Sequence, residues 1–192
     1  ELNPSQVDAM NSAMSRRLTI IQGPPGTGKT HTAVATLAQL AREGRGPILA
    51  TAESNVAVDN LLEGLLGLGV RAVRIGRPVK VRETLRMATL DAQLEEHPKQ
   101  DEIAIVRDEM DEVHRALPKL KGREKGLAHR DIQHNKKELR RLEREMIASV
   151  LDSAEVICST NIGSGHRILD GRRFPIVLMD EATQAIEPSA LI

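Results

Sequence analysis

Apolar residues recur along this chain in two rhythms. Short, mainly apolar runs, at Leu18-Thr19-Ile20-Ile21, Ile48-Leu49-Ala50-Thr51-Ala52, Val156-Ile157-Cys158-Ser159 and Pro175-Ile176-Val177-Leu178-Met179, read as strands, and Val70 to Ile75, broken by Arg71 and Arg74, is a further strand candidate. Between them the spacing turns helical. Asn3-Pro4-Ser5-Gln6 opens a helix, with Ser5 or Asn3 as cap and Val7, Met10 and Met14 on one face. A second helix runs from about Lys29 to Arg42, buries Ala33, Leu37, Leu40 and Ala41, and is closed by Gly44 and Gly46-Pro47. A third follows Glu53-Ser54-Asn55, with Val56, Val58, Leu61, Leu62, Leu65 and Leu66 as its apolar face. Strands alternating with helices predict an α/β fold around a mainly parallel sheet.

From about Thr89 to Asp152 the character changes. Charges of both signs become dense and apolar residues keep only a helical stripe, Ile103, Val106, Met110, Val113 and Leu117, then Ile132, Leu139, Leu142, Met146 and Val150. Pro118 and the stretch from Gly122 to Gly126 punctuate the middle, which predicts a hairpin of two helices with the second the longer. The chain is therefore divided into residues 1–88, the first part of the sheet domain, 89–152, a charged helical insertion, and 153–192, the remainder of the sheet domain. His129 and His134 lie in the insertion without converging carboxylates and read as solvated residues, not metal ligands.

Composition adds bounds. With 192 residues, 40% of them hydrophobic, the chain can fill one core, which must be aliphatic because Phe174 is the sole aromatic among Phe, Trp and Tyr. The formal net charge is zero, so any polyanion site must be local. Cys158, alone in an apolar run, excludes disulfides within the chain and a cysteine-based zinc site, and suits a reducing compartment. No apolar run approaches the ~20 residues of a membrane span. The expectation is an intracellular protein, of cytoplasm or nucleus. The chain begins at Glu1 and stops at Ile192 just after an acidic motif that normally sits mid-domain, which is expected of a piece of a longer protein.

The chemistry is concentrated at Gly23-Pro24-Pro25-Gly26-Thr27-Gly28-Lys29-Thr30, between the first strand run and the second helix. A Gly-x-x-x-x-Gly-Lys-Thr loop in that context is a phosphate cradle. Its glycines let backbone N–H groups approach phosphate oxygens, and the helix that follows adds the positive end of its dipole. Lys29 is expected to reach the β- and γ-phosphates of ATP and Thr30 to ligate Mg²⁺. Asp180, at the end of the last strand run, completes that Mg²⁺ site, and Glu181 beside it can orient or deprotonate an attacking water. Without a cation the two carboxylates would repel each other. Gln6 carries one donor and one acceptor, as reading adenine requires, although a surface glutamine has the same composition. Ser54 and Asn55 sit where a strand end meets a helix start, the edge at which open α/β sheets bind ligands, and capping is compatible with that role. Arg71, Arg74, Arg77, Lys80, Arg82 and Arg86, against only Glu83, make a local basic excess that is either a solvated face or a phosphate contact.

These motifs, in this order, resemble those of the superfamily 1B helicases, the group of the nonsense-mediated-decay helicase, the senataxin-type helicases and the immunoglobulin-mu-binding helicase. Leu2-Asn3-Pro4-Ser5-Gln6 looks like the Q-motif, Gly23 to Thr30 like motif I, and Ala52-Glu53-Ser54-Asn55-Val56-Ala57-Val58-Asp59 like motif Ia. Val156 to Thr160 with Gly163 and Gly165 resembles the strand and loop that touch nucleic acid, and Asp180-Glu181-Ala182-Thr183-Gln184 resembles motif II. The resemblance implies a RecA-like P-loop NTPase with a three-layer fold and a helical accessory subdomain. It implies that Gln6 recognises adenine, that Lys29, Thr30 and Asp180 hold phosphates and Mg²⁺, that Glu181 acts on water and that Gln184 senses the γ-phosphate. Ser54, Asn55 and Thr160 are implied to contact the backbone of single-stranded RNA or DNA. It further implies a monomer without membrane attachment, in which a second RecA-like domain of the same parent chain supplies arginine fingers. On that basis the parent is a 5′→3′ helicase, while this piece binds nucleotide weakly, hydrolyses it slowly and does not unwind. One departure is Glu53, where relatives often carry Pro. Two other classes fit parts of the pattern. An AAA-type ATPase shares the loop but places its acidic motif much sooner, and a non-catalytic scaffold would use the charged hairpin as a coiled-coil arm.

Overall fold

The computed structural model describes residues 2–77, 79 and 83–191. The elements in order are α1 (Pro4–Ser15), α2 (Lys29–Arg42), β1 (Ile48–Ala52), α3 (Asn55–Gly67), β2 (Ala72–Arg74), α4 (Glu83–Met87), α5 (Leu90–Glu95), α6 (Gln100–Ala116), α7 (Gly122–Ser153), β3 (Val156–Thr160), α8 (Asn161–Ser164), β4 (Ile176–Asp180) and α9 (Glu187–Ala190). They fall into two compact units, Glu1–Ala92 with Leu151–Ile192, and Gln93–Val150.

The first unit is built on a four-stranded sheet of order β2-β3-β1-β4, parallel at every pairing. Parallel strands need covered faces, and the helical stripes supply the cover. From α2 come Leu37, Ala38, Leu40 and Ala41, and from α3 come Val58, Leu61, Leu62 and Leu65; all are buried with Ile48, Ala50, Val156 and Cys158 of the strands. The two helices run close together: a Cβ added to Gly64 of α3 would lie 2.8 Å from Val34 Cγ2 of α2, so this position accepts only glycine without a shift. Val56, assigned to the apolar face by its spacing, is instead 49% exposed, because α3 buries only one side of its first turn.

The strand expected at Leu18–Ile21 does not form. No ladder reaches it, Leu18 and Ile20 are largely exposed, and Thr19 Oγ1 donates to the Ser12 carbonyl at 3.1 Å, tying the segment to α1 rather than to the sheet. Among the described residues the sheet ends on β4, whose free side also explains why Val177 is exposed in a run that reads as fully buried. Asp180, at the end of that strand, is buried. Thr160 to Gly165, expected as a loop, winds into the single turn of α8, since the Thr160 hydroxyl accepts from Gly163 N at 3.0 Å and caps it.

Cys158 lies in the middle of β3 and is fully buried. Burial pushes its thiol up to about 12, with the Arg74 charge opposing only in part. Iodoacetamide at pH 8 is therefore expected to leave the folded chain unmodified and to react after unfolding, so that the alkylation rate reports opening of the sheet. Native and denatured rates within tenfold of one another would contradict the packing around β3.

The second unit pairs α6 with the longer α7, the hairpin expected from the charged stretch. Its small core is Ile103, Leu142 and Met146, backed by Leu94, Val106 and Leu139. Ion pairs flank it: Lys99 with Glu145, Arg107 with Glu143 at 3.6 Å, and Arg141 with Glu145 at 2.6 Å. The Lys99 ammonium holds the Glu145 carboxyl below the usual carboxylate range, and Arg141 does the same for Glu138. These pairs are exposed and contribute little to stability.

Candidate functional site

Parallel register aligns the C-terminal ends of three strands. Ala52 of β1 lies beside Thr160 of β3 on one side and beside Asp180 of β4 on the other. Ligands of open α/β sheets bind outside this edge.

The glycine-rich loop enters α2 through Gly26 and Gly28, both left-handed, at φ 79° and 81°. These angles strain any residue with a Cβ. Thr27 Oγ1 donates to the Pro24 carbonyl at 2.8 Å and closes the loop on itself, and a Cβ at Gly23 would fall 2.7 Å from that hydroxyl. Lys29 folds back over the loop, its ammonium donating to the carbonyls of Gly23 at 2.8 Å and Pro24 at 3.0 Å. The next residue, Thr30, donates its hydroxyl proton to Asp180 Oδ2 at 2.8 Å, a contact that spans 150 positions of the sequence.

Asp180 is held on both oxygens, since its Oδ1 accepts from Glu181 N at 2.9 Å. Glu181 has φ 52°, the one non-glycine residue with positive φ among the described residues. Such backbone strain, of order 1 kcal/mol or more, is retained where the surroundings fix it and concentrates at functional sites. Gln184 follows in a short turn, its backbone N–H bonded to the Glu181 carbonyl at 2.9 Å and its side chain exposed. Among the described residues no group of three or more His, Cys, Asp or Glu is placed to hold a metal. One carboxylate and one hydroxyl, both hard oxygen donors already in contact, do fit Mg²⁺, which usually takes one or two protein oxygens and fills its other positions with phosphate oxygens and water.

Gln6 belongs to the same neighbourhood. Its Oε1 accepts from Asn3 N at 2.9 Å while Asn3 Oδ1 accepts from Gln6 N at 3.0 Å, a capping box that makes Asn3 the cap of α1. Its Nε2 donates to the Thr27 carbonyl at 3.1 Å, fastening α1 to the glycine-rich loop. Each end of the amide retains one further hydrogen-bonding position.

Across the edge, Ser54 Oγ accepts from Ala57 N at 3.1 Å and caps α3. As with Thr160, capping uses a lone pair and leaves the hydroxyl proton to donate. Glu53 is not a free carboxylate at this edge: its Oε2 accepts from Asn161 Nδ2 at 2.9 Å and Ser189 Oγ at 3.0 Å. The basic excess is dispersed. Arg71 faces Glu155 at 3.3 Å, Arg77 and Arg86 are exposed, and Lys80 and Arg82 lie outside the described residues. Arg74 is 1% exposed and paired with Asp59, so it is not a phosphate contact. Sequence reasoning missed this pair, although both residues interrupt apolar patterns, Asp59 beside Val58 on the buried face of α3 and Arg74 inside the run from Val70 to Ile75. The Glu53 tie left no such signal.

A parallel sheet carrying a glycine-rich loop before its second helix and a hydroxyl-to-carboxylate contact between that helix and a strand end defines a RecA-like P-loop domain. The chain belongs to the AAA_11 family, described as an AAA domain, whose model matches residues 1–192, and to the superfamily 1 helicase group that its motifs resemble. It is 35% identical over 194 residues to the DNA polymerase alpha-associated DNA helicase A of Schizosaccharomyces pombe, 38% over 194 residues to a regulator of nonsense transcripts 1 homolog of Arabidopsis thaliana, and 36% over 197 residues to the DNA-binding protein SMUBP-2 of Mesocricetus auratus. Each match covers 100% of this chain, which spans 29%, 14% and 20% of those relatives.

Proposed function

We propose that the chain is the ATP-binding and ATP-hydrolysing motor domain of a 5′→3′ helicase acting on single-stranded RNA or DNA. The observation that carries this reading is the Thr30–Asp180 contact, which joins the phosphate loop to the acidic strand end across 150 positions. Gly23 to Gly28 cradle the phosphates, Lys29 leaves its carbonyl partners to neutralise the β- and γ-oxygens, and Gln6 reads adenine with the positions it retains. Thr30 and Asp180 would hold Mg²⁺, which when bound would neutralise charge developing on the phosphates. Glu181 orients the attacking water and takes its proton, and Gln184 sits one turn on, where the state of the γ-phosphate is sensed. Ser54, Asn55 and Thr160 grip the nucleic-acid backbone. Residues 89–152 form an accessory insertion within the RecA-like domain, and a second RecA-like domain of the parent is the partner that completes turnover and stepping. The separation of Lys29 from Asp180 disfavours a hexameric AAA-type ring.

Fluorescent ADP titrated into the chain, with and without Mg²⁺, tests the reading. Wild-type affinity is expected to rise about tenfold with Mg²⁺, and Asp180→Ala to abolish that response while leaving Mg²⁺-free binding within threefold. An equal Mg²⁺ response in the two chains would overturn the assignment of Asp180.

A further inference from the structure

Behind the exposed edge lies a buried charge relay that ends on a surface amide. Arg74 and Asp59 are 1% and 0% exposed, and Arg74 Nε donates to Asp59 Oδ1 at 3.1 Å. The other oxygen, Oδ2, accepts from Val79 N at 2.8 Å. The guanidinium also donates to the Ile75 carbonyl and, through Nη2, to Asn55 Oδ1 at 2.8 Å. A guanidinium has donors and no acceptor, so only the oxygen of the Asn55 carboxamide can face it. The amide is exposed, yet its orientation is fixed from within: oxygen inward, NH₂ outward.

We propose that Asp59 and Arg74 are positioning residues for Asn55, holding it so that it presents only N–H donors at the C-terminal edge, a polarity that selects the acceptor-only oxygens of phosphodiesters. The proposal rests on the reading of this edge as a nucleic-acid interface and adds to it the sign of the recognition. A freely rotating carboxamide would offer a donor or an acceptor and would lose rotational entropy on binding. The relay removes both, because a buried aspartate fixes a planar fork whose Nη2, which also lies 3.5 Å from the Arg77 carbonyl, can meet nothing but an oxygen of Asn55. Contacts of this kind position a strand and carry no base information.

Two measurements on the full chain separate the parts of the proposal. In the first, ¹⁵N relaxation of the Asn55 side-chain amide is compared between wild type and Asp59→Asn, with no ligand present. A rigid amide in wild type that becomes mobile in the variant supports positioning; equal mobility in both overturns it. In the second, fluorescein-labelled oligothymidylate is titrated at low salt into wild type, Asn55→Ala and Asn55→Asp. The aspartate keeps an oxygen for Arg74 and disturbs no buried residue; if Asp59→Asn does not fold, Arg74→Lys, which keeps the charge and loses the planar fork, replaces it in the first measurement, and a mobile amide in wild type overturns positioning by itself. Alanine is expected to weaken binding about tenfold, the loss of one hydrogen bond to a charged acceptor, and aspartate about tenfold further, because its second oxygen faces phosphate. Aspartate binding as well as alanine, or better, overturns the donor polarity. Absence of binding by wild type with an ordered Asn55 amide overturns the nucleic-acid reading and the phosphodiester assignment, and leaves the positioning result standing by itself.

Discussion

Lys29→Ala is expected to reduce nucleotide affinity by about a hundredfold, close to the ~1.5–3 kcal/mol of a hydrogen bond to a charged group, with little change in fold. Its ammonium bonds two loop carbonyls, those of Gly23 and Pro24, so the side chain spans the cradle and is within its reach without rebuilding the backbone. The loop keeps its closure in the variant, because Thr27 and the left-handed glycines shape it independently of the lysine. Lys29→Arg is expected to recover only part of the loss, since a planar fork cannot occupy the place of a compact ammonium among phosphate oxygens. Fluorescent ADP binding, with far-UV circular dichroism as the fold control, decides it. Unchanged affinity in a folded Lys29→Ala chain would remove the loop from the nucleotide site.

Arg74→Ala is expected to be the most destabilising of the substitutions considered, at about 3–5 kcal/mol, because it leaves the Asp59 carboxylate buried without its guanidinium. Domains are stable by only ~5–15 kcal/mol, so the midpoint of thermal unfolding should fall by about 10–15 °C. Replacing both partners by apolar residues, Asp59→Leu with Arg74→Met, is expected to recover most of the loss, since a buried pair is costly to break and cheap to exchange for packing. The pair's value then lies in orienting Asn55, which the recovered double variant would no longer do. A single Arg74→Ala chain melting within 3 °C of wild type would mean that the ion pair is not buried in solution.

Much of this was legible in the residues themselves. The glycine spacing before Lys29 prescribed the left-handed entry into α2, and the stripe of Leu61, Leu62 and Leu65 prescribed which face of α3 meets the sheet, because both follow from local sterics and periodicity. Leu18 to Ile21 shows the limit of that logic: an apolar run has strand character, but a strand exists only where a neighbour offers its N–H and C=O groups. Thr19 bonds to α1 instead. Arg74 shows the converse, since in sequence it is one of several basic residues, and only the fold sets it against Asp59. Pairings across the chain, Thr30 with Asp180 and Glu53 with Ser189, are set by register, and register is not a local property.

The Glu53 carboxylate makes the edge of the sheet a stiff frame. It joins the end of β1, the first turn beyond β3 and the helix beyond the acidic strand end, α9, through two hydrogen bonds to one oxygen. Bonds to an ionised acceptor contribute about 1.5–3 kcal/mol each, so a shift of α9 that pulled on Ser189 would load Glu53 before it broke free. Glu53 is directly followed by Ser54 and Asn55. A displacement of α9 would thus pull, through a single side chain, on the segment that carries Ser54 and Asn55, the residues proposed to contact nucleic acid, and a proline at that position would offer Asn161 and Ser189 no acceptor.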